Sequence, residues 1–156
     1  MPQGPLVYRQ RLTTRITHWL WAISLFFLML TGLQIFNAFP SLHIGKESGF
    51  DYDNAILEIG AVEADGTLRG VTRVFGAEFD TTGVLGVSGG EARAFPAALT
   101  IPSKTSLATG RVIHFFFAWV LVGTLGVWLV ASALNGHLRQ LVPTLADLRA
   151  LPRDIA

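Results

Sequence analysis

The sequence predicts an all-α membrane protein: two antiparallel transmembrane helices joined by a long extracytoplasmic loop that contains a β-hairpin. Three observations carry that expectation. Charged residues are only 15% of the 156 residues and hydrophobic ones reach 51%, whereas an average soluble protein is about 25% charged. Two long stretches, residues 16–45 and 112–138, hold no Asp, Glu, Lys or Arg. Between them, residues 46–111 carry six bases and nine acids and are dense in turn-forming residues.

Each element follows in order. A bilayer core is crossed by about 20 helical residues, so each uncharged stretch is long enough for one span. The spans are placed at residues 16–38 and 111–134. A cleaved signal peptide would have an apolar region of about 7–15 residues and a small-residue cleavage site. Here the apolar run is much longer and leads into Phe39-Pro40 without such a site, so a retained span is expected. The N-terminal tail, residues 1–15, carries Arg9, Arg11 and Arg15 and no acid. The C-terminal tail, residues 135–156, sets Arg139, Arg149 and Arg153 against Asp147 and Asp154. Basic short flanks stay inside, so both termini are expected to be cytoplasmic and the loop, residues 39–110, extracytoplasmic. In that loop, the β-branched-rich residues 55–62 and 67–75 flank Ala64-Asp65-Gly66, and Asp-Gly between such runs is hairpin chemistry. Residues 79–108, rich in Gly, Thr and Ser, read as irregular. Thr144 and Asp147 resemble a capping box that opens a short amphipathic helix to Leu151. The chain reads as part of a longer protein.

Composition also excludes. With no cysteine there is no Cys-held iron–sulfur cluster, thiolate zinc site, disulfide or Cys-x-x-Cys-His haem attachment. Any metal or cofactor must be held by His, carboxylate or backbone. A net charge of +1 excludes polyanion binding by bulk electrostatics, and no nucleic-acid partner is expected.

The chemistry sits in a short internal similarity at the head of each span. Arg15-Ile16-Thr17-His18-Trp19-Leu20-Trp21-Ala22 matches Arg111-Val112-Ile113-His114-Phe115-Phe116-Phe117-Ala118. In each, His lies three residues inside the Arg, about 4.5 Å deeper at 1.5 Å per residue and on the same helix face. An ionisable group inside a membrane is a functional-site hypothesis by default, and neutral imidazole is a common metal and haem ligand. His18 and His114 are therefore candidate axial ligands to haem iron, with Arg15 and Arg111 as charge-assisted partners for haem propionates. The His18 face is expected to run through Ala22, Leu25, Met29 and Gly32, and the His114 face through Ala118, Leu121, Leu125 and Ser132. Because the spans run antiparallel, the two histidines differ in depth by roughly 20 Å of a core about 30 Å thick. They serve separate irons, each lacking a second axial ligand in this chain. His137, in Gly136-His137-Leu138-Arg139 at the exit of the second span, is open between ligand, quinone contact and helix cap. His43 reads as a loop residue.

These residues resemble a known group. Arg-x-Thr-His-Trp at residues 15–19, Leu30-Thr31-Gly32, Arg111-x-x-His114 and Gly136-His137-x-Arg139 look like the bacterial membrane cytochrome b family of nickel–iron hydrogenases and formate dehydrogenases. The resemblance covers both spans and the C-terminal tail, about half the chain. Phe79-Asp80-Thr81-Thr82-Gly83 looks like the loop insert of members that accompany molybdopterin oxidoreductases. The family implies a four-helix bundle with two b-type haems, each held by two histidines, in the bacterial inner (plasma) membrane. It also implies a partner oxidoreductase subunit (a molybdopterin enzyme or a hydrogenase) and exchange with quinone. His18 and His114 match ligands of the first and second helices. This chain has only two spans, so it departs from the family's four: it is expected to be half of the bundle, completed by missing helices 3 and 4, by another subunit or by a second copy of the chain.

The reading is a membrane electron carrier rather than a catalyst on its own, since neither span holds a nucleophile triad, phosphate loop or carboxylate pair. Two alternatives stand beside it. A non-haem membrane anchor that docks a peripheral partner predicts that His18 and His114 are dispensable. A transporter fragment relaying protons or metal through His wants acids along the path, and neither span contains one.

Overall fold

The computed structural model describes residues 12–45, 52–136 and 138. Along the chain, two long helices flank a β-rich segment. The first, α1, is Leu12–Phe36 and the second, α2, is Leu107–Leu134. Both are long and apolar enough to cross a membrane. Each begins one turn earlier than the charge pattern suggested. In α2 the reason is a cap: Ser106 Oγ accepts the Thr109 N–H at 3.4 Å, and the Ser106 carbonyl accepts the Gly110 N–H. A helix starts where its free N–H groups find acceptors, not where charge runs out.

Three of the threonines within these helices are tolerated because their hydroxyls are satisfied locally, whereas Ser24 Oγ and the Trp21 and Trp128 Nε1 groups are buried with no partner among the described residues. The hydroxyls of Thr17, Thr31 and Thr124 donate to carbonyls four residues back, at 3.0, 2.6 and 2.7 Å. On α1 the buried stripe is Thr17, Ser24, Thr31 and Gln34, at spacings of seven and three. Small and short polar side chains let a neighbouring helix come close. Much of the outer surface of both helices is bare within this chain: Trp19, Met29, Trp119 and Leu134 are all more than half exposed.

The chain forms two compact units, Met1–Ile23 with Trp119–Ala156, and Ser24–Ala118. In the first, Trp21 packs edge-to-face on Trp128 at 5.6 Å. In the second, Phe27 stacks flat on Phe117 at 4.2 Å, and Thr31 meets His114. Within the second unit, the step from Phe27 to Thr31 along α1 is matched by the step from Phe117 back to His114 on α2, so the helix segments there run antiparallel.

The second unit also holds a four-stranded antiparallel sheet in the order β1-β2-β3-β4, so the protein is not purely all-α as its composition suggested. The strands are β1 Ser41–His43, β2 Ala55–Ala64, β3 Thr67–Val74 and β4 Ala77–Asp80. The expected hairpin is β2–β3. Its turn residues Asp65 and Gly66 both take positive φ, +53° and +73°, the twist a two-residue hairpin needs. Phe75 and Gly76 repeat that geometry at +48° and +80°, adding β4 by a second tight turn. Residues 79–108 are only partly irregular, since β5 Val87–Ser88 pairs with β6 Glu91–Ala92 and a 3-10 turn spans Ala97–Leu99. Glycine is required where this segment crosses the hairpin. A Cβ on Gly86 would collide with the Gly60 carbonyl, one on Gly70 with the Leu85 carbonyl, and Gly86 has φ +84°. The Asp80-Thr81-Thr82-Gly83 motif is structural here. Asp80 Oδ1 accepts the Thr82 N–H, Thr82 Oγ1 accepts the Gly70 N–H, and the Thr72 and Thr81 hydroxyls meet at 2.9 Å. The expected cytoplasmic helix to Leu151 and most of both tails lie outside the described residues.

Candidate functional site

His114 lies two turns into α2, and α1 offers it one partner, Thr31, which is completely buried. His114 Nδ1 stands 2.9 Å from Thr31 Oγ1, and that same oxygen is 2.6 Å from the Phe27 carbonyl. A hydroxyl has one hydrogen to donate. Two oxygens at 2.6 Å repel unless a proton lies between them, so the hydroxyl hydrogen goes to Phe27. The oxygen then accepts from His114 Nδ1–H. That assignment leaves the lone pair on Nε2, the nitrogen turned away from the bond. An imidazole held by Nδ1–H with Nε2 open is the arrangement of a metal-ligating histidine with an outer hydrogen-bond partner. Gly32 lies beside the ring: a Cβ there would be 3.7 Å from His114 Cε1.

One turn further along α1, Gln34 is also buried and receives an unexpected partner. Arg93, from the loop just after β6, is 9% exposed and donates through one terminal nitrogen to Gln34 Oε1 at 2.7 Å. It also donates to Thr100 Oγ1 and the Ser103 carbonyl. No carboxylate pairs with it among the described residues. Its Nε and Asn37 Nδ2 are buried without a partner among the described residues. The cation meets the last turn of α1, which has no basic residue of its own, through the Gln34 side chain. Further links run alongside: Asn37 Oδ1 accepts the Phe95 N–H at 2.8 Å, and the Leu30 carbonyl accepts the Ile101 N–H at 3.2 Å.

His18 is placed differently. It is exposed, packs edge-on against Trp19 at 6.0 Å, and makes no hydrogen bond among the described residues. With Thr14, Arg15 and Trp19 it lines a surface hollow of about 330 Å³. Leu25 and Met29, on its expected inward face, are 56% and 60% exposed. That face therefore lies off the buried stripe, which passes through Thr17, Ser24 and Thr31. On α2 the corresponding face is turned inward through Ala118, Leu121 and Ser132, although Leu125 is exposed. Arg15 and Arg111 are exposed and form no ion pair among the described residues. His43 belongs to β1, stacked on Phe39 with Nε2 3.4 Å from Ser41 Oγ. His137 lies outside the described residues.

The structure thus brings His114 to Thr31, and Arg15 beside His18. His18 belongs to one compact unit and His114 to the other. Arg93 escaped the sequence reading because a lone arginine in a Gly- and Ser-rich stretch carries no pattern. Its only signal was indirect: Gln34, an amide in an apolar helix, needs a partner. Among the described residues no group of three or more His, Cys, Asp or Glu could hold a metal ion, so the candidate ligands are single imidazoles. No protein-family model, curated protein or solved structure matches the chain.

Proposed function

We propose that the chain is a membrane b-type cytochrome subunit, carrying electrons between a partner oxidoreductase and the quinone pool through bis-histidine haem. The observation that supports this best is the 2.9 Å contact of His114 Nδ1 with Thr31 Oγ1, whose own hydrogen is committed to the Phe27 carbonyl at 2.6 Å. A single oriented imidazole suits an iron whose other ligands come mostly from a macrocycle. Haem b, when bound, supplies one-electron exchange; the chain supplies the axial nitrogen, its orientation and an apolar surround that tunes the potential. His114 and His18 are the proposed ligands of two separate haems, with Arg111 and Arg15 as propionate partners. His137 stays a candidate ligand or quinone contact. The second axial ligand of each iron comes from helices 3 and 4 of the bundle or from another subunit.

Membrane insertion is supported by the bareness of the helices. None of the most apolar part of α2 is buried within the chain, so lipid or partner helices must cover it. In this reading the protein sits in the bacterial inner membrane with both termini cytoplasmic and the folded loop outside. Its partner subunit is a molybdopterin enzyme or hydrogenase. The anchor alternative draws on the loop's folded sheet, which would suit a docking platform without any haem.

Reduced-minus-oxidised spectra of the membrane-embedded protein, with its partner subunits, decide between them. A b-type signal extractable into acidic acetone is expected. His114→Ala should remove one haem and His18→Ala the other. A complete, correctly inserted complex with no such signal would sink the cytochrome reading.

A further inference from the structure

We propose that Arg93 is the positioning residue of the His114 site. It acts through Gln34, holding α1 in the register at which Thr31 receives the His114 Nδ1–H. Arg93 binds Gln34 Oε1, and Gln34 lies three residues from Thr31 on the same buried stripe. The far side of Gln34 rests on α2: a Cβ on Gly110 would be 3.1 Å from Gln34 Cγ, tighter than ordinary contact. Gly110 in turn lies four residues, about one turn, before His114. The Arg93–Gln34–Gly110 layer therefore sits one helical turn from the Thr31–His114 layer on both helices at once. A shift of α1 along or about its axis that separated Thr31 from His114 would also pull Gln34 from Arg93.

Arg93 can hold such a register because its own position is over-determined. The guanidinium is planar and permanently charged. It is fixed to Thr100 Oγ1 and the Ser103 carbonyl on the chain leading into α2, as well as to Gln34 on α1. It thereby ties both helices through the loop. Moving the guanidinium would break charge-assisted hydrogen bonds to three acceptors at once, which makes the arrangement stiff. Lysine would not substitute, since one ammonium lacks the flat fork that spans three acceptors.

The consequence for a metal rests on the haem reading, but the geometry is testable without metal. The test uses ¹⁵N spectra of the His114 ring in haem-free protein in lipid nanodiscs, comparing wild type, Arg93→Met, Arg93→Lys and Gln34→Leu. A dominant Nδ1–H tautomer is expected in wild type, with that dominance lost in all three variants. Gln34→Leu leaves Arg93 with its loop partners and keeps the question answerable if the Arg93 variants fail to fold. In a folded double variant, Arg93→Met with Gln34→Leu, no further loss beyond Gln34→Leu is expected. An unchanged Nδ1–H signal in folded Gln34→Leu or Arg93→Met would overturn the proposal. The axial-ligand signature in the electron paramagnetic resonance of haem-loaded protein reports separately. Absence of any haem there sinks the cytochrome reading while leaving the tautomer result to stand for Arg93.

Discussion

Replacing Thr31 by Val tests the site at its centre. Valine keeps the shape and removes the oxygen, so the Phe27 carbonyl keeps its helical bond while His114 Nδ1–H loses its acceptor. A donor left unsatisfied on burial costs about 1–3 kcal/mol. His114 is half-buried rather than sealed, which favours the lower part of that range. Loss of an outer hydrogen-bond partner of a ligating histidine typically costs about 10–100-fold in metal affinity. At about 1.4 kcal/mol per factor of ten, that is about 1.4–2.8 kcal/mol of binding free energy, a quantity separate from the stability cost. If the proposed haem is bound there, Thr31→Val should retain it at the His114 site roughly 10-fold more weakly, and Thr31→Ser, which keeps the hydroxyl, should be close to wild type. The assay is haem retention during dilution of detergent-solubilised complex, followed by its absorbance. Wild-type retention in Thr31→Val would refute the argument that this hydroxyl orients the ring.

Three further outcomes are expected. Single cysteines at Ser88 and Ser103 should react with a membrane-impermeant maleimide in intact spheroplasts and one at Asn135 should not; the opposite pattern removes the proposed topology. Gly86→Ala should destabilise the loop by about 2–5 kcal/mol, from overpacking of about 1–3 kcal/mol added to a positive φ that costs about 1–2 kcal/mol for an L-residue, read as faster limited proteolysis. The Asp80 carboxyl is held below its ordinary pKa by hydrogen bonds from Thr82 and, more weakly, by Arg69. A depressed folded pKa gives stability that is present above the ordinary value of 3.8 and lost as pH falls below it. Acidification from pH 5 to 3, as experimental settings, should therefore loosen the loop in wild type and do so less in Asp80→Asn; equal loosening in both would dismiss the contribution.

How much was legible depends on how local each signal is. The hairpin could be read because Asp65-Gly66 and its flanking runs are contiguous. β1 and β4 could not: three and four residues are too few to show a period, and each forms by pairing with a strand already in place. The single positive-φ pair at Phe75 and Gly76 was the available sign of β4, visible in sequence only as one glycine. The all-α expectation failed there, because composition averaged over two long helices hides a short sheet. Thr31 could be quoted from the sequence as part of Leu30-Thr31-Gly32, but its role depends on Phe27 behind it and His114 on the other helix.

By itself the sequence determined that there would be two long apolar helices, a tight hairpin between them and no thiolate chemistry. Those follow from residue type and near-neighbour spacing. The tertiary structure decided which copy of the repeated Arg-x-x-His pattern has a partner. The two copies are nearly alike in sequence, yet His114 is tied to Thr31 while His18 is exposed. The reason is rotational. One neighbouring helix can bury only one stripe, and on α1 that stripe runs through Thr17, about 100° around the axis from His18 at 3.6 residues per turn. On α2 it takes in the histidine. Which stripe is buried depends on the fit between two helices and the Arg93 loop, and no local pattern records it.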